Sequence, residues 1–301
     1  MTGTEIGLPD DAVSAFARRS VFKRVGTGLA GAAALSALSA GGVALTSGSA
    51  KAAVGDADIF NFALNLEYLE AEFYLRAATG TGLSSADVTG TGTQGTVTGG
   101  SMVPFQSSAI QAYAQRIAVD EQAHVRFIRA VLGSAAVAEP SIDLSTSFTN
   151  LAIAAGLITA GQTFNPFADE ISFLLGAYIF EDVGVTAYAG AASLISNPDY
   201  VTAAASILAV EAYHAGSIRT LLSDLGAGAA TDAISALRAT LSGLADDYGT
   251  DAQGSAYNFL PTDSNSLVFR RTTTQVLNIV YGGGAASSYL FFPNKLNGTI
   301  A

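Results

Sequence analysis

The chain contains two histidines in 301 residues, and each stands three residues after a glutamate: Glu121-Gln122-Ala123-His124 and Glu211-Ala212-Tyr213-His214. With nine glutamates in the chain, chance would place both histidines in this register about once in a thousand. A separation of three sets a carboxylate and an imidazole on one face of a helix, where both reach one metal centre. Two such helices imply two ions. A lone histidine on an apolar helix is ordinarily a core residue hydrogen-bonded to a neighbour. Four ionisable groups turned into an apolar interior are each costly unless paired or metal-bound, so the duplicated pattern favours metal.

Four segments of helical periodicity position these residues. The first runs from about Asp56 to Ala78, with Phe60, Ala63, Glu67, Glu70, Ala71 and Tyr74 on one face and Glu72 and Arg76 as an exposed i, i+4 pair on the other. A Gly- and Thr-rich stretch, 79–100, reads as a long surface loop with a little extended structure. The second helix, about Phe105 to Leu132, carries Ile110, Ala114, Ile117, Glu121, His124 and Ile128 inward and turns Arg116, Arg126 and Arg129 away. Residues 133–165, with Pro140, predict a crossover along the length of a bundle. The third helix is expected to open at Asn165-Pro166 and the fourth at Asn197-Pro198-Asp199. Ala177, Glu181, Val185 and Tyr188 share a face of the third; Ala204, Ile207, Glu211, His214 and Ile218 share one of the fourth.

The ordered set is Glu67, Glu121-x-x-His124, Glu181 and Glu211-x-x-His214. One glutamate from each of two helices and Glu-x-x-His from each of the other two is the ligand set of a di-metal carboxylate bundle. A repeat underlies it: Tyr74 follows Glu67 by seven residues and Tyr188 follows Glu181 by seven, so each phenol lies two turns along the glutamate face. The plain reading of both tyrosines is core packing; the other is a pair of phenols beside a pseudo-twofold site. Glu70, one turn from Glu67, is a substitute ligand or a proton-transfer group.

Composition sets limits. Half of the residues are hydrophobic, enough for a large core, and the absence of cysteine excludes disulfides, zinc-thiolate sites and iron–sulfur clusters. Oxygen and nitrogen ligands of this kind suit iron or manganese better than copper. A pI near 4.5 argues against nucleic acid or an anionic membrane surface as partner. Residues 1–52 resemble an export signal: Arg18-Arg19-Ser20-Val21-Phe22-Lys23 resembles a twin-arginine motif, an Ala/Gly-rich run follows to Leu45, and Ala50-Lys51-Ala52 fits a cleavage site. The run is too poor in large apolar residues for a convincing membrane span, so no stable span is expected after cleavage. Its removal leaves 9 basic against 22 acidic residues, a formal charge of −13. The expected location is periplasmic or extracellular.

The first helix, Asn65-Leu66-Glu67-Tyr68-Leu69-Glu70-Ala71-Glu72-Phe73-Tyr74, and the third, Phe180-Glu181-Asp182-Val183-Gly184-Val185-Thr186-Ala187-Tyr188, resemble those of the ferritin-like family that includes the plant desiccation-related proteins and their bacterial and fungal relatives. That group is similar to manganese catalases in its bundle. Phe269 to Tyr281 and Phe291-Phe292-Pro293-Asn294-Lys295-Leu296-Asn297-Gly298 resemble its C-terminal signatures, so the likeness spans about 56–301. It implies an all-α, ferritin-like four-helix bundle over 53–224, with a long crossover between helices two and three and a partly helical C-terminal extension over 225–301 packed on the bundle. It implies no settled substrate. Other ferritin-like sites with Asp-Glu-x-x-His use the aspartate to hold the histidine of the opposite motif, which assigns Asp120 to His214. Pairing of an exposed Asp120 with Arg116 is the plainer alternative. Val210 stands where the second aspartate would, so His124 needs another partner, a tyrosine or a water.

In the extension, Thr231–Leu244 and Leu267–Tyr281 read as a fifth and a short sixth helix, ended by Gly282-Gly283-Gly284. The aromatic end, Tyr289 to Phe292, must dock on the bundle or on a partner subunit. Arg270 and Arg271 read as a solvated face or a structural ion pair before an anion site. Two carboxylate-bridged ions cycle together by two electrons, which matches reduction of peroxide or dioxygen, so the leading expectation is an exported di-iron or di-manganese oxidoreductase using one of these oxidants. Glu67 and Glu181 are terminal or bridging ligands in that reading, Glu121 and Glu211 bridging candidates, and His124 and His214 terminal nitrogen ligands. A noncatalytic stress or desiccation protein with a structural metal is the alternative, and iron storage a third. Assembly into a homo-oligomer stays open.

Overall fold

A computed structural model describes residues 54–245, 247–251, 258–283 and 290–301. The segment expected to be an export signal, Tyr289 and Gly284 lie outside these residues. The described elements are helices α1 (Asp56–Thr79), α2 (Ser108–Leu132), α3 (Thr146–Ala154), α4 (Glu170–Ala191), α5 (Pro198–Asp224), α6 (Gly228–Ser242) and α7 (Thr273–Val280), with strands β1 (Val97–Gly99) and β2 (Ile142–Leu144). α1 packs along α2 and α4 along α5, and α1 against α4 joins the two pairs into a four-helix bundle.

Local chemistry sets the helix ends. α1 begins where the Gly55 N–H donates to Asp58 at 2.8 Å, and it stops at Gly80, whose φ of 82° is left-handed. Ser107 caps α2, its hydroxyl accepting from the Ile110 N–H at 3.3 Å. Asn197 caps α5, with Pro198 in the first helical position as expected. α4 starts later than the Asn165-Pro166 signal predicts: Asp169 is its cap, accepting from the Ser172 N–H at 2.8 Å, while Asn165 closes the preceding turn through the Phe167 N–H. Two competing caps lay four residues apart, and the one followed by an uninterrupted apolar run won. α4 is long and apolar enough to cross a membrane by composition, but it is a bundle helix and mostly buried.

The loop after α1 and the crossover after α2 hold each other. β1 and β2 pair in parallel, Val97 with Ile142 and Gly99 with Leu144. Arg126 and Arg129, which the sequence turns toward solvent, grip this loop: Arg126 binds Asp87 at 3.0 Å and Arg129 reaches the Thr89 carbonyl at 2.5 Å. The Glu72–Arg76 pair is present at 2.6 Å but is not exposed as expected. Glu72 is buried because its other oxygen accepts the Leu83 N–H at 2.7 Å, bringing the loop over it.

The core between the helices is aromatic. Phe73 touches Phe148, Phe167, Phe173 and Phe180. Phe291 from the C-terminal end packs on Phe148 and Phe180, so that end docks on the bundle. Asn297 bonds the Thr93 and Ala138 carbonyls and receives Asn65, tying the tail to loop, crossover and α1 at once.

Candidate metal centre

The bundle brings all six sequence-predicted ligands into its middle. Glu67 comes from α1, Glu121 and His124 from α2, Glu181 from α4, and Glu211 and His214 from α5; every one is buried. They form two groups, Glu67, Glu121, His124 and Glu211 in one and Glu121, Glu181 and His214 in the other. In each group the ligand atoms lie within 4.8 Å of one another. Glu121 belongs to both. Glu211, expected to match it, falls in the first group only.

Both imidazoles turn Nδ1 inward. His124 Nδ1 stands 3.3 Å from Glu67, 3.3 Å from Glu121 and 3.4 Å from Glu211; His214 Nδ1 stands 3.0 Å from Glu121 and 3.5 Å from Glu181. Two ligands each about 2.1 Å from an ion and at right angles to one another stand about 3 Å apart. His214 Nδ1 and Glu121 Oε1 are close but misaligned for a hydrogen bond, and both remain unsatisfied, as do Glu67 Oε2, Glu181 Oε2 and both oxygens of Glu211. Buried polar atoms without partners are rare because each is expensive. Here they converge on common points, the arrangement of lone pairs that a cation completes.

Charge agrees with geometry. Five carboxylates, counting Glu70, face two imidazoles. Burial pushes Glu67 up to about 7 against the opposing pull of His124, and it raises Glu181 likewise. Glu70 and Glu211 are driven well above the usual carboxylate range by burial and by the neighbouring carboxylates. For Glu121, burial is outweighed by the two histidines, and its carboxyl falls below that range. Burial opposes charge on both histidines, yet the surrounding glutamates raise them above an ordinary imidazole. An excess of buried carboxylate over imidazole is a charge balance that divalent cations neutralise.

The tyrosines are more than packing. Tyr74 on α1 donates to Glu181 Oε1 on α4, and Tyr188 on α4 donates to Glu67 Oε1 on α1. Each phenol takes one oxygen of a terminal glutamate and leaves the other facing the cluster. Both phenol pKa values are raised, by burial and by the carboxylate each one meets. Asp120 meets His214 Nε2 at 3.2 Å and also pairs with exposed Arg116 at 2.5 Å, but it is not itself exposed as the plainer reading expected. His124 Nε2 has no protein hydrogen bond among the described residues. Neither tyrosine serves it, and its side chain, 11% exposed, reaches solvent. Glu70 is buried beside Glu211 and Glu121 without belonging to either ligand group.

A second buried cluster escaped the sequence reading. Asp182 Oδ2 accepts from Arg219 at 2.6 Å and Arg238 at 2.7 Å; Arg238 and Arg271 each bind Asp247 at 2.8 Å. Arg238 lies 4.6 Å over the Tyr178 ring. Arg271 is therefore a structural ion pair, while Arg270 is exposed. One signal for this cluster was present: Arg219 stands between Ile218 and Leu222 on the buried side of α5.

A model of the ferritin-like domain matches residues 55–224. The chain is 32% identical over 244 residues to Desiccation-related protein PCC13-62 of Craterostigma plantagineum, covering 74% of this chain and 76% of that one. It is 30% identical over 271 residues to Ferritin-like catalase Nec2 of Nesocodon mauritianus, covering 82% and 85%. No solved structure matches. With the bundle, its buried carboxylate–imidazole cluster and these likenesses together, the chain belongs to the ferritin-like, desiccation-related family and is a metal-binding member of it.

Proposed function

We propose that the protein is an exported di-metal oxidoreductase, holding two iron or two manganese ions and acting on peroxide or dioxygen. The observation that carries this reading is the pair of ligand groups sharing Glu121, with unsatisfied oxygens turned toward both. The printed name of one relative, a ferritin-like catalase, supports it. Bound ions supply a two-electron couple and a Lewis-acidic face for a small oxidant.

The chain's own groups do the rest. Glu121 links the two positions, and His124 and His214 each close one. Tyr188 and Tyr74 act as positioning residues, fixing the free oxygens of Glu67 and Glu181 toward the interior. Asp120 fixes the ring of His214 and, by accepting from Nε2, makes Nδ1 the better donor to an ion. Glu70 is placed to hold a proton and pass it to a reduced oxygen, because it borders the cluster without being committed to a ligand group. Burial of all six ligands limits bulk water at the centre, and an edge of His124 reaches solvent.

One observation favours a second reading, a noncatalytic protein whose metal holds the bundle together: all six ligands are buried. Peroxide consumption by purified, manganese- or iron-loaded protein separates the two. Turnover that disappears in His124→Ala is the expected result. Full metal occupancy without turnover of peroxide or uptake of dioxygen leaves the structural reading standing.

A further inference from the structure

Helix α4 contains three interior glycines, Gly176, Gly184 and Gly190, although glycine weakens a helix relative to alanine. None has a positive φ, so the backbone does not require them. The reason lies in what a side chain would meet. A Cβ at Gly176 would come within 2.9 Å of Phe73 and Pro166, and one at Gly190 within 1.9 Å of the Arg271 carbonyl oxygen. These two serve core packing and docking of the C-terminal segment. A Cβ at Gly184 would lie 2.5 Å from Glu211 Oε2 and 3.6 Å from Glu70 Oε1.

Gly184 also breaks the internal repeat. Glu67, Glu70 and Tyr74 on α1 correspond in spacing to Glu181, Gly184 and Tyr188 on α4, and the middle position alone differs. The same asymmetry appears in the ligands, where Glu121 joins both groups and Glu211 joins one. Movement of Glu211 away from a side chain at 184 is limited on the cluster side, where His124 lies 3.4 Å from Oε1 and Glu67 and Glu121 complete the group.

We propose that Gly184 is a positioning residue: the volume of its missing side chain seats the Glu211 carboxylate, directing it to the Glu67–His124 group and making the two metal positions inequivalent. This rests on the two-ion reading. Alanine at 184 displaces Glu211 and leaves Glu121, Glu181 and His214 in place.

The test is equilibrium dialysis of the full chain against Mn(II). Wild type takes up two ions per chain; Gly184→Ala keeps one at wild-type affinity and holds the other at least about tenfold more weakly, as loss of a ligand's support does. In a His214→Ala background, Gly184→Ala weakens the remaining ion. Gly176→Ala lowers the melting temperature without changing either affinity. Unchanged affinities in Gly184→Ala, or equal weakening of both ions, overturn the proposal. Wild type binding fewer than two ions is instead a failure of the two-ion reading, and metal-free melting then decides about Gly184. Alanine at 184 should raise the melting temperature by about 2–4 °C where Glu211 has been replaced by alanine, the gain in helix propensity, and should give no rise where Glu211 is present. Equal shifts in the two backgrounds overturn the proposal.

Discussion

Glu181 and Asp182 are neighbours on α4, yet they enter two buried clusters with opposite needs. Around Glu181, five carboxylates meet two imidazoles, and six ligand atoms have no hydrogen-bond partner. Around Asp182, three arginines meet two aspartates, and both Asp182 and Asp247 receive direct guanidinium bonds. In the second cluster every carboxylate is matched by a guanidinium, with one arginine in excess, and the cluster joins α4 to α5, α6 and the C-terminal extension. The first lacks positive charge that no side chain provides. Equal burial therefore does not mean equal function: what separates a structural polar cluster from a metal centre is the sign and geometry of what is missing.

The largest expected effect breaks the structural cluster. Asp182→Ala leaves Arg219 and Arg238 buried without their shared carboxylate and should cost about 3–5 kcal/mol, with equal loss in metal-free and metal-loaded protein, read by denaturant unfolding. A loss confined to loaded protein would merge the two clusters into one site. The converse substitutions, His124→Ala and Glu121→Ala, should halve or abolish metal content by elemental analysis. Glu72→Ala is the contrast: it frees Arg76 and the Leu83 N–H and should lower stability by about 1–3 kcal/mol while leaving metal content intact.

A finer division lies within the metal centre. Asp120→Asn should weaken binding about 10- to 100-fold, mainly at the ion served by His214, with the fold unchanged by circular dichroism. Unaltered affinity there would reduce Asp120 to the surface partner of Arg116. The smallest effect lies outside both clusters, at Glu139. Burial first, then adjacent Glu72, raises its carboxyl to about 8. A raised folded-state pKa gives stability that is complete below the unfolded value of 4.5 and is lost as pH rises through about 8. Glu139→Gln should therefore melt like wild type near pH 5 and higher than wild type above pH 8; an identical difference at both pH values would contradict the buried-carboxylate account.

Much of the centre was legible because it obeys helical periodicity. Glu67, Glu121, His124, Glu181, Glu211 and His214 lie on the apolar faces of four long helices, and their place near the middle of each helix brings them to one level. The seven-residue offsets of Tyr74 and Tyr188 placed both phenols at the site, although not that each crosses to the other helix's glutamate. The Asp182 cluster was hidden because its members come from positions 182, 219, 238, 247 and 271, whose spacings carry no period. Burial of Glu72 was missed for a related reason: a loop closes over a face that looks solvent-exposed from the helix alone. The start of α4 turned on which of two good caps preceded the apolar run.

The central claim is that the Glu181 side of α4 faces a metal centre. Elemental analysis of the purified protein, followed by melting before and after chelation, tests it most directly. The account predicts two iron or manganese ions per chain and a lower melting temperature once they are removed, because an ion that binds only the folded state stabilises it by mass action. A protein that carries no metal, takes none up, and melts at the same temperature with and without chelator would contradict it.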